Sequence, residues 1–202
     1  GEITYDPTTN FNGQDTLIYQ ICSDNVTYET TSVTGYIAPI NQICECSAGD
    51  SRSVASGGSL ALGAITLNTG DSLCITASGG GIGIVTGNID LKGGKVFFCS
   101  GDGTTIDVDG LLFANVWGAQ SGDVYLFTDI NTGNQEVYAN TWHNYNTFTA
   151  TGNVTITTGG APSKYAEFKN YGNSTMTVTG FINTTSTDAS LYNYGTITAA
   201  SS

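Results

Sequence analysis

The sequence predicts an all-β chain in two parts, the end of a small sandwich followed by a right-handed parallel β-helix, or β-solenoid. Three observations carry this expectation. Short alternating strands fill the first 40 residues, an Asn-Tyr motif recurs near the end, and no window shows the apolar period of a helix. Gly, Thr or Asn interrupts every such window, which suits twisted strands joined by turns.

Residues 1–40 read as the sandwich remnant. Ile3-Thr4-Tyr5 is a short strand, and Asp6-Pro7 and Asn12-Gly13 are turn signals. From Thr16 to Cys22, Leu17, Tyr19 and Ile21 alternate with Ile18, Gln20 and Cys22, as a half-buried strand does. Thr30 to Ile37 repeats the pattern. Three or four strands cannot complete a sandwich, which takes about 100 residues, so the upstream half is expected to lie outside this chain. Gly1 opens the chain without Met, and the expectation is a trimmed piece of a longer protein. Residues 41–52 read as the linker.

Residues 53–202 have another texture. Asn144-Tyr145-Asn146, Asn170-Tyr171-Gly172 and Asn193-Tyr194-Gly195 are versions of one motif. Leu73-Cys74-Ile75 and Phe98-Cys99-Ser100 suggest an earlier pair. Spacings of this size fit one solenoid coil of about 25 residues, and about six coils follow from the length. Coils stack about 4.8 Å apart, so equivalent residues lie above one another. Asn144, Asn170 and Asn193 are expected to form an asparagine ladder at a turn. Tyr145, Tyr171 and Tyr194 are expected to form an aromatic column beside it. Val154, Ile156, Phe168, Met176, Val178, Phe181, Leu191 and Ile197 are the expected core.

Charge restricts the partners. Five cations stand against seventeen carboxylates, a net charge of −12. Nucleic acid needs clustered Lys and Arg, and anionic lipid needs them too, so neither is expected as a partner. No apolar run reaches the roughly 20 residues of a membrane helix, and no direct membrane insertion is expected.

Five cysteines leave at least one without a partner in the chain. Cys22, Cys44 and Cys46 are the disulfide candidates, with Cys22 pairing to Cys44 or Cys46. Zinc would need more ligands than these and His143, the one histidine, supply.

Asp102, Asp107 and Asp109 lie among turn glycines and offer hard oxygen donors, so calcium is the one cofactor to consider. Their spacing does not match an EF-hand loop. Asp6 and Asp24 are further candidates for a calcium at a domain junction. Asp107 and Asp109 also fall on one strand face about 7 Å apart, near the separation glycoside hydrolysis uses. The scattered cations and the isolated His143 argue against catalysis, and the chain is not expected to be an enzyme. Gly79-Gly80-Gly81-Ile82-Gly83 lacks the following helix and cation of a nucleotide site and reads as a turn between coils. Trp117, Tyr125, Trp142 and Tyr145 could offer a sugar-stacking platform.

Tyr5-Asp6-Pro7, then Phe11-Asn12-Gly13-Gln14-Asp15, then an alternating strand ending at Asp24 resembles the second half of cadherin-like and Ig-like tandem repeats of large bacterial surface proteins. Residues Leu67 to Ser100, together with Asn193-Tyr194-Gly195-Thr196-Ile197-Thr198, resemble β-helical segments of Bacteroidota surface proteins. Gliding-motility adhesins exported by type IX secretion are among these. Asp15-Thr16-Leu17 and Asp71-Ser72-Leu73 resemble the O-glycosylation signal of that phylum.

The resemblance implies a non-catalytic, extracellular, structural and adhesive segment of a long filamentous cell-surface protein. Surface glycans or proteins would be its partners, with type IX secretion or outer-membrane surface components as others. The alternatives are a carbohydrate-active β-helix enzyme and a phage tail-spike or fibre segment.

Overall fold

The computed structural model describes residues 13–23, 26–37, 44, 49–109, 112–114, 122–158 and 165–200. Backbone contacts divide the chain into two units, Gly1–Ile43 and Cys44–Ser202. Every regular element among the described residues is a strand. In the first unit, β1 (Gly13–Ser23) pairs antiparallel with β2 (Val26–Ile37), with a register shift between Gln20 and Cys22. The sandwich strand expected at Ile3–Tyr5 and the ligands expected at Asp6 and Asp24 lie outside the described residues.

The second unit is a parallel β-solenoid of about six turns, built from three sheets. The first sheet stacks β3 (Asp50–Ala55), β5 (Ser72–Ser78), β7 (Lys95–Ser100), β10 (Asp123–Leu126), β13 (Thr141–Asn144), β16 (Ala166–Asn170) and β19 (Ala189–Asn193). The second stacks β4 (Ser59–Thr66), β6 (Ile82–Asp90), β8 (Thr105–Val108), β11 (Ile130–Thr132), β14 (Thr147–Ala150), β17 (Thr175–Val178) and β20 (Thr196–Ala199). The third is β12 (Gln135–Tyr138), β15 (Val154–Thr157) and β18 (Ile182–Thr184). A further strand, β9 (Leu112–Ala114), pairs with β6. Because β3 begins at Asp50, the solenoid starts inside the expected linker.

Alternation along each strand decides which residues enter the core. On the first sheet Leu73, Val96, Val124, Trp142 and Phe168 stack in register and are buried. On the second, Ile106, Ile130, Phe148 and Met176 do the same. Phe148 and Phe168 meet edge to face at 5.3 Å between centroids, and Trp142 meets Phe148 edge to face at 6.0 Å, joining the two sheets.

Of the expected core, Val154, Ile156, Phe168, Met176 and Val178 are buried, while Leu191 and Ile197 are partly so. Phe181 is not a core residue. It stands 50% exposed, because it precedes β18 in the turn rather than sitting on an inward position. Trp142 is likewise not an exposed platform residue, since its inward register leaves it 2% exposed.

Sequence separation between equivalent positions ranges from 18 to 28 residues, wider than the Asn-Tyr repeat suggests. The Leu73-Cys74-Ile75 and Phe98-Cys99-Ser100 alignment is displaced by two residues. Leu73 pairs with Val96 and Cys74 with Phe97, so Cys99 lies opposite Thr76. The glycine run does form a turn between β5 and β6. Gly79 and Gly80 adopt φ of 107° and 71°, and their amides donate to Asp102 Oδ2 at 2.7 Å and Thr104 Oγ1 at 2.8 Å on the next coil.

Candidate functional site

The inward column Ile75, Phe98, Leu126 changes character in the next coil, where it becomes Asn144, Asn170 and Asn193. Asn144 and Asn170 are fully buried, which is unfavourable for an amide unless every polar atom is matched. Asn144 Nδ2 donates to Asn170 Oδ1 at 2.8 Å, and Asn170 Nδ2 donates to Asn193 Oδ1 at 2.9 Å. The same two amides donate to the carbonyls of Thr175 and Thr196 across the following turn. Ser174 Oγ donates to Asn170 Oδ1 at 2.8 Å. Asn170 thereby uses both donors and both acceptor sites of its side chain. These bonds tie the end of each first-sheet strand to the start of the second-sheet strand one coil on.

The outward residues of the same sheet form two aromatic columns. In one, Phe97, Tyr125 and His143 stack with centroids 4.8 and 4.6 Å apart. In the other, Phe127 stacks on Tyr145 at 4.9 Å, Tyr145 on Tyr171 at 4.4 Å, and Tyr171 on Tyr194 at 6.5 Å. The sequence motif carries only the last three rings. The others escape it because coil lengths differ and because Phe and His interrupt the Tyr pattern. A cross-link joins the columns, with His143 Nδ1 2.8 Å from Tyr171 Oη and His143 Nε2 3.3 Å from Asp123 Oδ1. His143 therefore lies on a strand with partners on both ring nitrogens. Burial, then the negative charge of Asp123, pushes the Tyr125 hydroxyl well above its ordinary range.

The stacking decides what this face can bind. Rings within these columns lie 2° to 17° from parallel, so each interior ring has its faces covered by the rings above and below. A sugar stacks on an open ring face, and the interior rungs present edges instead. Tyr125 and Tyr145 therefore do not make a sugar-stacking platform, and Trp117 lies outside the described residues. Lys95 lies 6.0 Å from the Tyr125 ring centroid, and Lys169 lies 5.7 Å from that of Tyr192 while pairing with Glu167 at 2.8 Å.

The outward face of the second sheet is different. Ile84, Asp107, Asn131, Thr149, Thr177 and Thr198 share one register column. An open groove of about 510 Å³ covers the part of it from Ile84 to Thr149, lined among others by Asp107, Asp109, Asn131 and Thr151. Asn131 Nδ2 donates to Asp107 Oδ1 at 3.0 Å.

The calcium candidates are divided between two places. Asp107 and Asp109 face this groove, whereas Asp102 ties down a turn. Its carboxylate accepts from Thr104 Oγ1 at 2.5 Å, from the Gly79 amide at 2.7 Å and from Ser100 Oγ at 2.9 Å. These bonds, Thr104 first, hold Asp102 far below the usual carboxylate range. They also occupy the oxygens that calcium would need.

Among the described residues, the metal-capable side chains drawn into a group of three are Cys44, Cys74 and Cys99, whose sulfurs lie within 4.8 Å of one another. Cys44 is bonded to Cys99, 55 residues away, rather than to Cys22. The register places Cys74 and Cys99 on neighbouring strands over the solenoid's first coils, which local spacing around Cys44 does not foretell. Cys46 and the side chain of Cys22 lie outside the described residues. No protein family, curated protein or solved structure matches this chain.

Proposed function

We propose that the chain is a non-catalytic structural and adhesive segment of a long extracellular protein on a bacterial cell surface. In this reading the first unit is the end of an Ig-like or cadherin-like module. The second is a right-handed β-helical rod of the kind found in Bacteroidota gliding-motility adhesins exported by type IX secretion. Partners are surface glycans or proteins, with outer-membrane surface components as further neighbours.

The observation that supports this reading most is the difference between the two outward faces. The first sheet closes its aromatic faces on one another and acts as a rib along the rod. The second sheet leaves a column of hydroxyl and carboxamide groups, with Ile82 and Ile84 48% and 40% exposed at one end. Such a face suits a hydroxylated, weakly apolar ligand such as a surface glycan.

A carbohydrate-active enzyme is the second reading, favoured by Asp107 and Asp109 lining one groove. One experiment separates the two. The chain and its Asn131→Ala/Thr149→Ala variant are titrated against immobilised bacterial and host polysaccharides, with reducing ends measured in parallel. Saturable binding that the variant weakens at least tenfold, with no new reducing ends, supports adhesion. Release of new ends that Asp107→Asn abolishes would replace it with catalysis.

A further inference from the structure

We propose that the last three coils of the second sheet form an ice-binding face, an ordered array of threonines that adsorbs to the surface of a water crystal. The array begins where the groove ends, at Thr149, and it does not rest on the adhesive reading. β14, β17 and β20 each carry two outward threonines, alternating with inward residues of the core. Register aligns Thr147, Thr175 and Thr196 in one file and Thr149, Thr177 and Thr198 in the next. Within a file the side chains repeat at the coil spacing of about 4.8 Å, and the two files stand about 6.6 Å apart. Both repeats lie close to those of the oxygen atoms on a prism face of hexagonal ice.

The chemistry of the face matches water as its occupant. Among the described residues, none of these six hydroxyls has a hydrogen-bond partner. Thr128, Thr132 and Thr151 instead turn theirs onto carbonyls of the preceding coil, at 2.8 to 3.1 Å. Each hydroxyl of the array thus keeps one donor and two acceptor sites for water. The methyl group beside it is apolar, and first-shell water over such groups has restricted orientational freedom. Charge matches too. No outward position on these three strands is charged, as suits an uncharged occupant, and the earlier coils interrupt the array with Asn131 and Asp107.

The array is also held in place from within. Thr is stiff at χ1, and Phe148 and Met176 lie fully buried between the two files. The asparagine ladder runs through the same three coils. Asn144 and Asn170 donate to the carbonyls of Thr175 and Thr196, the first residues of the next two array strands. The ladder thereby fixes the height of the rungs that carry the hydroxyls, so little ordering is needed when the face meets a lattice.

Ice is grown slowly from a chilled solution of the whole chain with serum albumin as the excluded control, and both phases are assayed for protein. Wild type is expected to be enriched in the ice over albumin and to slow the recrystallisation of fine-grained ice. Thr177→Lys, which puts a charged chain at the centre of the array, is expected to bring uptake down to the albumin level. Thr198→Lys, at an exposed position, repeats that test should lysine at 177 disturb the sheet. Asn183→Lys, on the third sheet, is expected to keep wild-type uptake. Wild type excluded from ice as albumin is overturns the proposal, whether or not any variant folds. So does a folded Thr177→Lys or Thr198→Lys chain with undiminished uptake. Polysaccharide binding without uptake into ice removes this inference and leaves the adhesive reading standing.

Discussion

The carboxamide of Asn144 donates to that of Asn170 at 2.8 Å, inside the solenoid at positions that earlier coils fill with Leu126 and Phe98. A buried polar pair replaces an apolar stack without loss because every atom of Asn170 is matched by a ladder neighbour or by the turn.

Removing the middle rung should therefore be more damaging than removing the last. Asn170→Ala removes the acceptor of one N–H of the buried Asn144 amide and the ladder bond to Asn193, and is expected to lower stability by about 2–4 kcal/mol. Asn193→Ala, at the exposed end, should lower it by about 1 kcal/mol or less. Urea denaturation of both variants checks the order. Equal losses would show that the ladder does not act through burial.

The hydroxyl and ring of Tyr171 do separate work. Tyr171→Phe keeps the stack on Tyr145 and removes the bond to His143, for an expected loss of about 1 kcal/mol. Tyr171→Ala also opens the column and should lose about 3–5 kcal/mol. Near-ultraviolet circular dichroism should keep its aromatic signal in the first variant and lose much of it in the second.

Acid should act on the turn that Asp102 ties. Its folded carboxyl is held below the unfolded value of 3.8, so the stabilisation is present above that pH and is lost as pH falls through the folded value. Asp102→Asn should flatten the fall in melting temperature that wild type shows below pH 3.8. An identical acid profile in the variant would remove Asp102 from this role.

Reduction should loosen the whole second unit. The Cys44–Cys99 bond closes a loop across 55 residues, for which chain entropy gives about 4 kcal/mol. A reducing agent is expected to lower the urea midpoint of wild type by more than it lowers that of Cys44→Ser.

Much of the repeat architecture was legible because a solenoid writes its period into the chain. Asn144, Asn170 and Asn193 recur with Tyr one residue on, and their separations of 26 and 23 residues already measure two coils. Earlier coils are harder to read. Phe97, Tyr125 and His143 share a column without sharing a residue type, and loops of unequal length shift their spacing. The displaced pairing of Cys74 with Phe97 has the same origin.

The sequence by itself determined the all-β class, the stacked coils and their polar ladder, because strand alternation and a repeated motif are local properties of the chain. Tertiary structure alone decided three things. It chose the partner of Cys44, it put Trp142 inside, and it turned the ring faces of the first sheet onto each other. Each depends on which residues the stacking brings to one height. That height is set by the summed lengths of the turns, which no single stretch of sequence contains.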